Sequence, residues 1–162
     1  MKIDAIILAR GGSKAIPKKN VIDFCGKPLM AWTIEQCFQA HSINNVWVSS
    51  DDDFILDTAN KLGANLIKRP NDISDDYATS ESGWLHAIEY VEKQSLILDA
   101  VFAPQVTSPL RKPDDIDNAV NLFFKQKLHS LFSASIVDDL YYWEINDGGK
   151  LNSINYNYKD RK

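Results

Sequence analysis

The sequence lacks most of the features that announce a function by themselves. Its two cysteines, Cys25 and Cys37, form no CxxC pair, which argues against a disulfide framework or a thiolate zinc site. Its three histidines, His41, His86 and His129, are scattered singly without a neighbouring ligand at metal spacing, so each is expected to pack or face solvent. No apolar run approaches the roughly 18–20 residues that a membrane span needs. The apolar start at residues 3–9 is preceded only by Lys2, without the layout of a signal peptide. No membrane partner and a reduced, cytoplasmic setting are therefore expected. Positive charge is also scarce: 18 Lys+Arg against 22 Asp+Glu give a net charge of −4, and a general nucleic-acid binder would show a basic excess instead. There is no Walker A loop, no third glycine to complete a dinucleotide fingerprint, and no G-x-S-x-G nucleophile elbow.

What remains is an ordinary globular composition, 44% hydrophobic and 25% charged over 162 residues, enough for one domain with a sizeable core. Strand and helix patterns alternate from the start. Residues 2–9 form a nearly continuous apolar run, as in a strand buried on both faces. A helix is expected over 28–41, with Met30, Ile34, Cys37 and Phe38 on one stripe, and a strand over 45–50. A second helix over 52–63 turns Ile55, Ala59 and Leu62 inward and ends at Gly63, and a third strand occupies 64–68. Ser80 opens a helix with Trp84, Ile88 and Val91 inward. Then come a strand at 99–103 and a helix from Pro113 that buries Ile116, Val120, Phe123 and Phe124. A fifth strand is expected over 130–137, and a hairpin at 141–145 and 150–154 around Asn146-Asp-Gly-Gly149. Successive βα units imply a mainly parallel sheet in a three-layer, Rossmann-like α/β domain, with ligands beyond the carboxyl ends of the strands.

The loop after the first strand is the most unusual segment. Residues 10–20 read RGGSKAIPKKN, with four basic side chains and no acid, where average usage would place about one basic residue. Gly11 and Gly12 let the backbone approach a ligand, so that its N–H groups can donate to phosphate oxygens. A solvated basic loop is the plainer alternative, but the position at a strand's carboxyl end favours phosphate. Elsewhere, Asp51, Asp52 and Asp53 are consecutive and cannot all point one way. Asp52 is expected to cap the second helix, and Asp51 to be a structural or nucleotide-side carboxylate.

Four segments in register over residues 6–111 resemble the acylneuraminate cytidylyltransferases, the CMP-sialic acid synthetase family. They are IILARGGSKAIPKKN at 6–20, CGKPL at 25–29, Arg69-Pro70 with Asp76-x-Ala-Thr-Ser80, and QVTSPLR at 105–111. Ala15 departs from the glycine usual at that position.

The resemblance implies a nucleotidyltransferase that moves CMP from CTP to the anomeric hydroxyl of a nonulosonic sugar acid, with Mg2+ as cofactor and pyrophosphate released. Its phosphate-binding and catalytic positions fall on Arg10, Lys14 and Lys19, and its wider nucleotide contacts add Gly11, Gly12, Ser13 and Asn20. Lys18 reads as a surface charge. Cytosine recognition falls on Arg69, the backbone at Ala78, and Ser80, which doubles as an expected N-cap. Gln105, Thr107, Ser108 and Arg111 are the expected sugar-acid contacts, since Gln and Thr bond hydroxyls and Arg meets a carboxylate with two parallel bonds. A turn at Ser108-Pro109 and an anchor from Arg111 to Asp114 and Asp115 are the structural alternatives. Chemistry alone leaves CTP against GTP open, and a related acid such as legionaminate fits equally. The resemblance places the metal ligands beyond Lys162, which makes the chain an expected amino-terminal portion of one domain. Residues 130–158, rich in aromatics, are expected to form a homodimer arm, with a hairpin packed on its own domain as the alternative, and a catalytically incomplete nucleotide-binding fragment is the alternative reading of the chain's function.

Overall fold

The computed structural model describes residues 1–13, 16–75, 77–94, 97–135 and 142–155. The chain divides into two compact units, Met1–His129 and Ser130–Lys162. In chain order the first runs β1 (Ile3–Leu8), β2 (Asp23–Phe24), β3 (Lys27–Pro28), α1 (Leu29–Gln39), β4 (Asn45–Ser50), α2 (Asp53–Lys61), β5 (Asn65–Lys68), α3 (Ser80–Glu92), β6 (Ala100–Phe102) and α4 (Pro113–Lys125). Four strands form a parallel sheet in the order β5-β4-β1-β6, with Ala5 opposite both Val46 and Phe102.

Alternation along β1 explains the layers. Successive side chains of a strand point to opposite faces. Ala5, Ile7 and Ala9 therefore enter one core with Met30, Ile34 and Cys37 of α1, Ile55 and Ala59 of α2, and Ile116 of α4. Ile6 enters the other with Trp47, Ile67, and Ala87 and Val91 of α3. Three helices thus cover one face and α3 the opposite one. Each fully buried Ile or Val contributes about 1.5–3 kcal/mol, so Ile34→Ala is expected to cost about 2–5 kcal/mol.

Strand order locates the ligand end. The chain builds β1, β4 and β5 outward in one direction, then returns to place β6 on the other side of β1. That reversal opens a crevice at the carboxyl ends of β1 and β6, where the loops from Arg10 and from Ala103 begin.

Several local expectations are refined. Asp52 does cap α2, its carboxylate accepting the Ile55 N–H at 3.0 Å. The cap of α3, however, is Thr79, whose hydroxyl accepts the Ser82 N–H at 3.2 Å, so Ser80 is the first helical residue instead. Adjacent hydroxyl residues offer equivalent caps, and the turn before α3 decides between them. The hairpin β2–β3 was not expected. It turns on Cys25 and Gly26, both at positive φ (55° and 89°), the conformation a two-residue type I′ turn requires. On α1, Phe38 is 50% exposed rather than buried. On α4 only Ile116 is buried, while Phe123 and Phe124 are partly covered and meet edge to face at 5.1 Å.

In the second unit, residues 130–135 are exposed and carry no strand, and 136–137 lie outside the described residues. The expected hairpin is present as β7 (Trp143–Ile145) against antiparallel β8 (Leu151–Ser153). Asn146 closes its turn, its side-chain oxygen accepting N–H bonds from Gly148 (3.1 Å) and Lys150 (3.0 Å). Tyr142, Ile145 and Leu151 are 56%, 73% and 61% exposed.

Candidate nucleotide site

The loop that leaves β1 is pinned to the start of α2. The Gly11 N–H donates to Asp51 Oδ1 at 3.0 Å. A Cβ on Gly11 would stand 2.7 Å from Asp52 Oδ2 and 2.8 Å from Asp52 Cβ, whereas one on Gly12 would meet nothing within 4 Å. The two glycines therefore differ in kind. Gly11 is required by packing on Asp52, and Gly12 leaves open space beside the backbone. Beyond them, the Ser13 N–H donates to the Gly11 carbonyl at 3.0 Å.

Arg10 reaches away from the loop and donates from Nη1 to the Asp75 carbonyl at 2.9 Å. Asn20, 7% exposed, braces the loop by donating from Nδ2 to the Arg10 carbonyl at 2.9 Å. Lys19 is half-buried. Lys18 sits at φ 53° with its ammonium 5.9 Å from the Phe54 ring centroid, a cation–π contact that keeps it at the surface. Lys14, Ala15 and Asp76 lie outside the described residues.

Arg69 is the most constrained charge of the site. It follows β5 directly, is only 5% exposed, and donates from Nε to Ser74 Oγ at 3.0 Å. Its Nη2 stands 3.7 Å from Asp51 Oδ1. On its other side lies α3 at Gly83, where a Cβ would come within 3.0 Å of Arg69 Nη1. Burial pulls the guanidinium pKa below its ordinary value, Asp51 pulls it back up, and the charge of Arg10 lowers it further. Arg10 and Arg69, distant in sequence, thus feel each other across one site. Both already have protein partners, Arg69 at Asp51 and Ser74 and Arg10 at the Asp75 carbonyl.

Asp75 shapes the neighbouring turn. Its carboxylate accepts the N–H groups of Tyr77 (2.9 Å) and Ala78 (2.7 Å), an Asx-type arrangement. The Ala78 N–H is therefore committed to Asp75. Asp75 and Ser74 were missed by the sequence reading. An aspartate ahead of a short polar turn was the available signal.

The expected sugar-acid residues form a second group after β6, tied to α1. Arg111 donates from Nη1 to Gln36 Oε1 (3.2 Å) and from Nη2 to the Gln105 carbonyl (3.4 Å), and Gln36 Nε2 donates to the Pro109 carbonyl (2.6 Å). The Arg111 guanidinium lies 5.7 Å from the Phe102 ring centroid. Burial lowers its pKa, while Cys37 and Asp115 raise it. Arg111 is thus anchored by Gln36 rather than by Asp114 or Asp115, and the Asp115 carboxylate instead accepts the Lys112 N–H at 2.9 Å. Gln105, Thr107 and Ser108 are exposed. Gln36 was also missed, though a polar residue on the inward stripe of α1 marks it.

For a metal, the described residues offer no group of three His, Cys, Asp or Glu side chains. Asp51 serves Gly11 and Arg69, Asp52 caps α2, and Asp53 pairs with Lys68. These aspartates do not fit a magnesium site. No helix among the described residues is long and apolar enough to cross a membrane.

A parallel sheet with a glycine-and-cation loop at the carboxyl end of β1, and Arg10 and Arg69 reaching one turn beside it, is the architecture of a nucleotidyltransferase-type α/β domain. Residues 5–147 match the family model described as cytidylyltransferase, and the chain belongs to that family. It is 41% identical over 136 residues to a pseudaminic acid cytidylyltransferase from Campylobacter jejuni, covering 83% of this chain and 59% of that protein. It is 37% identical over 147 residues to N-acylneuraminate cytidylyltransferase A from Danio rerio, covering 91% of this chain and 33% of the relative. Among solved structures, CMP:2-keto-3-deoxy-manno-octonic acid synthetase complexed with CTP shares the fold at a TM-score of 0.66 and 24% identity, over 78% of this chain and 49% of that one. The chain therefore spans 59% of the length of its Campylobacter relative.

Proposed function

We propose that this chain carries the nucleotide half of an enzyme that transfers CMP from CTP to a nonulosonic sugar acid, releasing pyrophosphate. The observation that supports this most is the buried Arg69 guanidinium beside Arg10, Gly11 and Asp51. Cytosine presents two acceptors, O2 and N3, and one donor, its exocyclic amine. Arg69 supplies donors for O2 and N3, the Ala78 carbonyl supplies an acceptor for the amine, and the Ser80 hydroxyl can do either. A site with that complement disfavours guanine, whose edge places a donor where cytosine places N3. The triphosphate is read as lying along Arg10, Lys14 and Lys19 and the open space at Gly12, with Gly11 and Ser13, whose N–H groups are taken within the protein, shaping the loop and Asn20 holding it. Cations fixed there stabilise the charge that builds as the sugar oxygen bonds the α-phosphorus and the bond to pyrophosphate breaks.

The sugar acid is assigned to Gln105, Thr107 and Ser108, with Arg111 able to offer a carboxylate the donors not used by Gln36 and Gln105. Pseudaminic and N-acylneuraminic acids are the candidates that the relatives' names supply. Mg2+ is proposed to arrive with the nucleotide, and the cytoplasm is the proposed setting. The exposed Tyr142 and Trp143 of the hairpin support a homodimer arm, since aromatic side chains are enriched at interfaces. Tyr141, Tyr156 and Tyr158 lie outside the described residues.

Incubation of the catalytically competent protein with CTP or GTP, magnesium and each candidate acid tests the reading. A CMP-sugar and pyrophosphate in equal amounts are expected from CTP. Nucleotide transfer from GTP in preference to CTP would overturn it.

A further inference from the structure

Asp51 stands where two parts of the nucleotide site meet. Its Oδ1 accepts the Gly11 N–H at 3.0 Å and lies 3.7 Å from Arg69 Nη2. Its main-chain oxygen accepts from Lys68 Nζ at 2.8 Å, which ties the end of β4 to the end of β5. One carboxylate oxygen thus serves both the loop that presents Arg10 and the arginine assigned to the base. On the far side, Arg69 Nη1 rests against α3 at Gly83, where even a Cβ would come within 3.0 Å. The guanidinium is therefore held between a carboxylate and a helix backbone.

Such confinement matters because of what else is present. Arg10 donates to the Asp75 carbonyl at 2.9 Å and Arg69 to the neighbouring Ser74 Oγ at 3.0 Å, so both guanidiniums meet one turn and an arriving triphosphate attracts both. Ser74 Oγ holds Arg69 through Nε, but the Nη end can still swing toward phosphate once the carboxylate beside it is gone. A negative charge beside it opposes that swing and leaves Arg10 to the anion.

We propose that Asp51 is a positioning residue that divides the two arginines between their tasks, holding Arg69 for the base while Arg10 meets phosphate. This rests on the assignment of Arg69 to cytosine. It predicts opposite effects on two ligands when only the charge is removed. Asp51→Asn keeps an oxygen to accept the Gly11 N–H but loses the ion pair. CTP should then bind about tenfold more weakly, the size of a typical coupling within one ion-pair network, while inorganic tripolyphosphate should bind as well as before or more tightly. A carboxylate that merely braced the loop would weaken both ligands together.

The test is calorimetric titration of wild-type and Asp51→Asn protein with CTP, GTP and tripolyphosphate, with chemical denaturation confirming that both are folded. Side-chain NMR of 15N-labelled arginine follows Arg69 without ligand. Its Nη protons should be resolved and slow to rotate in wild type and averaged in the variant. Unchanged Arg69 signals would overturn the proposal whatever the ligands do, and so would parallel losses of CTP and tripolyphosphate binding. If wild type bound GTP as tightly as CTP, the base assignment would fail separately, and the arginine signals would still report the Asp51 contact.

Discussion

Replacing Gly11 by alanine should damage the fold, and the same change at Gly12 should not. The added Cβ at position 11 would stand 2.7 Å from Asp52 Oδ2 and 2.8 Å from Asp52 Cβ. Real carbon atoms do not approach so closely, and Asp52 cannot swing aside freely. Its carboxylate caps α2 through the Ile55 N–H, and its own N–H donates to Ser50 Oγ at 3.1 Å. Losing the cap costs about 1 kcal/mol, and weakening the Gly11–Asp51 bond about another 1 kcal/mol. Forced overpacking adds about 1–3 kcal/mol. Gly11→Ala should therefore cost about 3–5 kcal/mol in urea denaturation, with the m-value little changed. Gly12→Ala, with open space around it, should stay within about 0.5 kcal/mol of wild type. Its effect should appear in CTP affinity, because the methyl group would occupy the space left for phosphate. Equal stabilities of the two variants would refute the packing argument. So would additive losses in the Gly11→Ala/Asp52→Ala double variant, since deleting the obstructing carboxylate should relieve part of the clash.

Other predictions follow from the same contacts. Lys19→Ala should lower kcat by about 10²–10³ in the catalytically competent protein if its charge stabilises the departing phosphates, and an unchanged rate would place the phosphates elsewhere. Cys37 is buried and its thiol is pushed up to about 12, mainly by burial, while Cys25 is exposed on its hairpin. Ellman's reagent at pH 8 should thus modify one thiol quickly and the other only on unfolding. Asp117 ties α4 to the end of α1. Burial opposes its charge, but the Ser42 hydroxyl and N–H and the His41 N–H outweigh that and hold its pKa below the ordinary value. Because its folded pKa is depressed, its contribution is present above the unfolded carboxyl range and fades as pH falls through the folded value. The Tm gap between wild type and Asp117→Asn should therefore narrow on acidification, and a gap independent of pH would contradict this.

How much was legible depended on whether the signal was local. The loop at 10–20 was conspicuous because glycine and cations concentrate in one short run, and β1 because an unbroken apolar segment suits a strand buried on both faces. Asp52 was readable as a cap from its place before an amphipathic stretch. The tie between Asp51, Gly11 and Arg69 was not, because it joins three loops that only the parallel sheet brings together. Gln36 was hidden for a similar reason: its partners, Arg111 and Pro109, lie more than seventy residues away. The β2–β3 turn escaped because cysteine rarely occupies a positive-φ position, although the glycine after it was visible. Residues 130–135 have strand-like composition but no neighbouring strand among the described residues, and without a ladder propensity alone does not form one.

Titration of the chain with magnesium-CTP and magnesium-GTP by calorimetry tests the central claim most directly. The account predicts selective binding of CTP, lost in Arg69→Met but retained when Gln105, assigned to the sugar acid, is replaced by alanine. Equal or tighter binding of GTP, or CTP binding indifferent to Arg69, would contradict the placement of a cytosine site between β5 and α3.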